Sequence, residues 1–151
     1  MQAINAEAAS GVAGTGSLAI TTNGVITSAS GFGINSLVSG GGGGIAITNN
    51  GAISAPAAVG ILGQITGGTG TMQVTNLGSV SGLTGVSAIG AAANVFDSGT
   101  ITGTGGTAIQ FSVPGNTLTL GPGFAITGLV QGGAGDTFQL GGVGTSSFDR
   151  A

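Results

Sequence analysis

The sequence predicts an all-β chain: a parallel β-helix, or β-solenoid, of about six coils of 20–28 residues with three short strands in each. Three observations predict it. The segment LAITTNGVITS (18–28) returns as IAITNNGAISA (45–55) and MQVTNLGSVSG (72–82), and more loosely as NVFDSGTITG (94–103) and LTLGPGFAITG (118–128). The turn glycines Gly24, Gly51, Gly78, Gly99 and Gly123 are separated by 27, 27, 21 and 24 residues, a period the size of one coil. Helical periodicity is hard to find, whereas Gly, Thr, Ser, Val and Ile are abundant, the composition of short strands and turns.

Each period holds three strand-like pieces whose apolar positions form columns. The first piece contributes Ile20, Ile47, Val74, Phe96, Leu120 and Leu140, with a second apolar residue two positions earlier in Leu18, Ile45, Met72, Leu118 and Phe138. The second contributes Ile4, Ile26, Ile53, Val80, Ile101 and Ile126, and the third Val12, Ile34, Ile61, Ile89, Ile109 and Val130. Residues 3–14, AINAEAASGVAG, align without a gap on residues 52–63, AISAPAAVGILG, which matches Ile4 to Ile53 and Gly11 to Gly60. Three short strands meeting in a triangle bury one another's apolar faces only if each also pairs with its counterparts in the coils above and below.

Asn50-Gly51 admits two readings at this stage. Between alternating strands it is the strongest short-range signal for a two-residue hairpin. Within a repeat it is a corner between two sheets, with Gly supplying a left-handed conformation. The repeat favours the corner. Coil length varies after the third strand, from NSLVSGGGGG (35–44) through GQITGGTG (63–70) to GAAA (90–93), so one corner takes the insertions. Its Gly-rich composition reads as a spacer before it reads as a binding loop.

Composition removes many function classes. Leu, Ile, Val and Phe make up about a quarter of the 151 residues, enough for a real core. With 35 Gly but only 3 Pro, collagen is excluded. The charged residues are Glu7, Asp97, Asp136, Asp149 and Arg150, for a net charge of −3. A chain without Lys and with one Arg cannot neutralise a run of phosphates, so nucleic acid is not an expected partner, and an anionic membrane surface is equally unsuited. No Cys or His is present, which takes away thiol catalysis, disulfides, a His general base and most zinc sites. The opening MQAINAEAAS has neither a basic nor an apolar leader segment, and no apolar run of membrane-spanning length follows, so membrane insertion by this segment is not expected.

Motifs that resemble chemical sites fail on their residues. GTGGTA (103–108) lacks the Lys of a phosphate-binding loop. GGAGDTFQL (132–140) approaches a calcium-binding nonapeptide, but Asp136 comes one residue early and the motif is not in tandem. The acids are too sparse for a general acid and base pair, so no catalytic, cofactor-binding or metal-ligating residues are assigned and no enzymatic activity is expected. Asp97 reads as a group that satisfies turn amides, as Asn49 and Asn76 do in neighbouring coils. The one candidate surface is a hydroxyl ladder outside the second strand: Thr27, Ser54, Ser81, Thr102 and Thr127, preceded by Asn5. Its neighbouring column, Ala3, Val25, Ala52, Ser79, Thr100 and Ala125, is not a second Thr row, and Thr and Ser are ordinary solvent-facing strand residues.

The last third, with its coils GTITGTGGTAIQF, NTLTLGPG and GDTFQLGG, resembles the repeat-rich passenger region of bacterial autotransporters, and the ITNNGAIS repeats are of the same kind. The resemblance implies a right-handed parallel β-helix displayed outside a Gram-negative cell as a stalk or adhesive surface. Passengers of this type carry a signal peptide and a C-terminal membrane barrel, neither of which is in the sequence, so a fragment, a processed product or a free-standing relative is expected. The expectation is a single solenoid domain over 1–140 with a tail or further coil at 141–151. Its role is structural: an extracellular or cell-surface stalk or fibre subunit that pairs with itself by head-to-tail stacking of its ends. The alternative is a module that binds ice, glycan or a host surface through the hydroxyl ladder or the Gly-rich corner.

Overall fold

The computed structural model describes residues 4–9 and 15–143. Fourteen strands and no helix are present among them: β1 (Ile4–Ala9), β2 (Leu18–Thr22), β3 (Val25–Thr27), β4 (Ile34–Ser39), β5 (Ile45–Asn49), β6 (Ala52–Ala55), β7 (Ile61–Thr66), β8 (Met72–Asn76), β9 (Ser79–Ile89), β10 (Ala93–Asp97), β11 (Thr100–Phe111), β12 (Thr117–Leu120), β13 (Ala125–Gln131) and β14 (Thr137–Leu140). Each pairs in parallel with strands of the coils above and below, not with its chain neighbour.

The chain is therefore a β-solenoid of about five turns. One 6-stranded sheet, in the order β14-β12-β10-β8-β5-β2, forms the first face. An 8-stranded sheet forms the other two faces. In the two coils that run from β2 to β7 those faces are separate strands; in the next coils they fuse into the long strands β9, β11 and β13, which bend at irregularities such as the one between Gly103 and Thr107. At about 4.8 Å per rung, the six strands of the first face rise roughly 24 Å.

Interior side chains stack like on like. Ile47, Val74, Ile53, Val80, Ile101, Ile34, Ile61 and Ile109 are all buried, and each such burial contributes about 1.5–3 kcal/mol. Ile4, Ile20, Ile26 and Ile126, nearer the ends, are partly buried against this core.

Four placements differ from the columns expected from spacing. Ile4 pairs with Ile34 on the third face, not with the second-face column of Ile53, because Asn35 Nδ2 donates to Asn5 Oδ1 at 2.9 Å and fixes that register. The interior residue of β10 is Val95, opposite Val74; Phe96 lies one residue on and faces outward, opposite Thr75. From there the first column continues through Leu118 and Phe138, so Leu120 and Leu140 fall two residues further along, opposite Asp97 and each other. Leu120 is buried, but Leu140 is 58% exposed. In the third column Val86 stands between Ile61 and Ile109, while Ile89 pairs with Gln64, because the link from Val80 to Val86 is shorter than the one from Ile53 to Ile61. Val130 keeps its register on Ile109 but is 40% exposed in the last rung. Val12 lies outside the described residues.

Asn50-Gly51 is a corner: β5 and β6, on either side of it, pair with other coils and lie in different sheets. The reason for Gly there is not the expected left-handed backbone. Gly51 has no positive φ; instead, a Cβ on it would lie 2.0 Å from the carbonyl oxygen of Gly24 in the coil below. Gly78 and Gly99 repeat the arrangement, each with 1.9 Å to the preceding corner glycine. Among the turn glycines only Gly123 (φ 87°) has the expected left-handed backbone; other left-handed glycines lie at the insertion-bearing corner, as at Gly40 (φ 78°) and Gly67 (φ 69°). That corner is stitched from coil to coil by Gly40 N–H to Thr66 O at 2.7 Å and Thr69 N–H to Gly41 O at 3.0 Å, which is more order than a free spacer has.

Two substitutions test this packing. Gly51→Ala forces backbone apart at the corner and is expected to cost about 1–3 kcal/mol by denaturant unfolding. Ile53→Asp places an unpaired charge in the core and is expected to abolish cooperative folding; circular dichroism and a melting transition like those of the unaltered chain would contradict the column assignment.

Candidate functional site

The rungs generate two kinds of side-chain row, one inside the first corner and others on the outer faces. Inside, Thr22, Asn49, Asn76 and Asp97 occupy equivalent positions in four successive coils, all buried. Thr22 Oγ1 donates to Asn49 Oδ1 at 2.8 Å, Asn49 Nδ2 to Asn76 Oδ1 at 2.8 Å, and Asn76 Nδ2 to Asp97 Oδ1 at 2.7 Å. Each Asn also donates to two carbonyls of the corner: Asn49 to Gly51 O and Ser79 O, Asn76 to Gly78 O and Thr100 O. The row thus adds side-chain hydrogen bonds to corner carbonyls that also accept from the next coil, as Gly51 O does from Ser79 N–H and Gly78 O from Thr100 N–H, both at 2.9 Å. It ends at Leu120, which faces Asp97 from the next rung.

A second polar anchor lies at the corner before the first face. Asn116 Oδ1 accepts from Ala93 N–H at 2.9 Å, and Asp136 Oδ1 in the next coil accepts from both the backbone N–H and the carboxamide of Asn116 at 2.9 Å. Asp136 Oδ2 accepts from Gly133 N–H at 2.8 Å and closes the turn that leads into β14. Desolvation is the largest single influence on Asp136 and opposes its ionisation, but the hydrogen bonds from Asn116, Gly133 and Gly115 together outweigh it and hold the carboxyl below the usual carboxylate range. For Asp97 the balance is reversed: burial pushes its carboxyl up, against the hydrogen bonds from Asn76 and Gly99.

On the outside, Thr27, Ser54, Ser81, Thr102 and Thr127 form one continuous register on the second face, each exposed or half-exposed. Val25, Ala52, Ser79, Thr100 and Ala125 run beside them. Asn5 is not in this row, because β1 belongs to the third face. The sequence reading missed a comparable row on the first face. Thr21, Thr48, Thr75, Phe96, Thr119 and Gln139 are aligned there, and Gln139 Nε2 donates to Thr119 Oγ1 at 2.9 Å. The signal for it was the outward half of the same alternation that located the core.

At the C-terminal end the interior opens into a groove of about 460 Å³ between Phe111 and Val130 on one side and Leu118 and Phe138 on the other. No three His, Cys, Asp or Glu side chains gather anywhere among the described residues. Glu7 on β1, Asp97 inside the first corner and Asp136 before β14 belong to separate parts of the solenoid, so no two are placed to act as acid and base.

The Asn row is the interior feature most sensitive to substitution. Asn76→Ala removes four hydrogen bonds at once, the one from Asn49 Nδ2 and those to Asp97 Oδ1, Gly78 O and Thr100 O, for an expected loss of roughly 2–4 kcal/mol in chemical denaturation. No protein-family model, curated protein or solved structure matches the chain.

Proposed function

We propose that the chain is a non-enzymatic structural solenoid, a rigid stalk or fibre segment outside the cell or on a bacterial surface. The observation that carries the proposal is the continuous stacking: each described rung pairs in parallel with the one below it, and the last rung ends on exposed apolar column residues, with Leu140 58% and Phe138 43% exposed. A column that ends in exposed Leu and Phe is a template for another rung. In this reading the added rung comes from a second copy, stacked head to tail; the two ends are different surfaces, so the contact is heterologous and propagates as a filament. The near absence of charge among the faces supports the same role, since few side chains repel an incoming strand.

The second reading is a surface-binding module that uses the Thr27 to Thr127 row. Its support is that the row is in register over five coils, which gives hydroxyl groups a regular spacing. Sedimentation and electron microscopy separate the two. Concentration-dependent filaments with strands across their axis are the expected outcome. A monomer that persists at millimolar protein and shows thermal hysteresis, lost in Thr102→Lys, transfers the function to the hydroxyl row.

A further inference from the structure

The buried polar row ends on an acid where its repeat calls for an amide. Asn49 and Asn76 use Oδ1 to accept and Nδ2 to donate to two corner carbonyls, that of the residue two positions on and that of the facing residue in the next coil. Asp97 reproduces the accepting half: its Oδ1 takes hydrogen bonds from Asn76 Nδ2 at 2.7 Å and Gly99 N–H at 3.1 Å. Its Oδ2 takes the place of the donating nitrogen. By the register of the rungs, Thr100 to Ala125 as Ser79 to Thr100, the carbonyls at that place are those of Gly99 and Ala125. Gly99 O is held there by Ala125 N–H at 2.8 Å, as Gly78 O is held by Thr100 N–H at 2.9 Å. Asp97 Oδ2 is buried and receives no hydrogen bond, and Leu120 above it supplies none.

A carboxylate oxygen set among carbonyl oxygens, in a buried site without a donor, is repelled by every neighbour; a carboxylic acid there has a proton to donate and makes the bond that the Asn amides make. We infer that Asp97 keeps its proton in the folded solenoid well above the range in which an exposed aspartate loses it, donates it to the corner carbonyls, and makes the fourth coil a joint that tightens in acid and loosens as pH rises. Burial acts in the same direction on this carboxyl. Among the described residues no opposing charge is at hand: β8, β10, β11, β12 and β13 carry no other titratable side chain, and the remaining acids are Glu7 on β1 and Asp136 at the Asn116 corner.

The sign follows from linkage. A group whose folded-state affinity for the proton is raised stabilises the fold fully below the ordinary aspartate range, and the contribution is lost as pH rises through the folded-state value. Asp136, with its proton affinity lowered, acts oppositely and only at the acid end. The test uses the unaltered chain and Asp97→Asn, which supplies the missing amide. Expected results are a melting temperature of the unaltered chain that falls as pH rises above the ordinary aspartate value of about 4, a nearly level one for Asp97→Asn over the same range, and a carbon-13 carboxyl resonance of Asp97 that titrates above that value. Three results would overturn the inference: a carboxyl resonance titrating at about 4, parallel melting curves for the two proteins, or stabilisation of the unaltered chain alone by sodium or calcium, which would mean a carboxylate paired with a cation. The resonance is read on the unaltered protein, so a folding defect in the variant does not remove the test.

Discussion

Coil-on-coil register is the constraint on which the rest of this molecule depends. Apolar stacking alone does not set it, since a slip of two residues keeps every inward side chain inward and only exchanges one Ile or Val for another. The buried amide row is less tolerant. Moving Asn76 two places from Asn49 would bury a carboxamide against Val74 or strand it at the corner, and several hydrogen bonds would be lost together. Corner glycines add a steric lock at the same point, because Gly51 and Gly78 let successive turns approach to a distance that any Cβ forbids. Polar row and glycine column both sit at the end of the first strand, so one corner aligns the whole coil.

A register fixed from inside leaves the outer faces uncommitted, and these faces become regular because the interior is. The hydroxyl row on the second face and the Thr row on the first arise from the same alternation that fills the core, without any local feature that builds a pocket. Repetition, stiffness and length are what such a surface offers, and they are the properties on which the proposed structural role draws.

Sequence periodicity made the architecture legible because coils of near-equal length repeat their spacing. From β2 to the start of β9 the repeat reads correctly: Ile20, Ile47 and Val74 share a column, as do Ile26, Ile53 and Val80. Errors begin where coil length changes. NVFDSG offers both Val95 and Phe96 as the interior residue, and apolar size favours Phe; Val95 is the one that accords with Asp97 accepting from Asn76 Nδ2 in the buried row, the turn role in which the sequence already grouped these two residues. Once that coil is displaced, Leu118 and Leu120 follow. Ile4 is a different case, in which an alignment of residues 3–14 on 52–63 competes with a single amide pair, Asn5 and Asn35, and the amide pair prevails. Each of these errors comes from reading apolar residues as the register marks when polar residues hold that role.

The polar row also divides the rod into unequal parts. From Thr22 to Asp97 every rung at the first corner is tied to the next by a side-chain hydrogen bond as well as by its sheet ladder. Beyond Asp97 the same positions hold Leu120 and Leu140, and the side-chain tie that supplements the ladder there is apolar contact alone, weakened further because Leu140 is largely exposed. In a solenoid each coil contacts only its neighbours, so local stability follows the local inventory of such ties. The amide-linked coils form the stiff segment, and the coils after Asp97 depend on the Asn116 and Asp136 anchor at the other corner and on whatever rung covers their columns. Asp97 stands at the boundary between these two regimes, where a change in one proton alters how firmly the second is joined to the first.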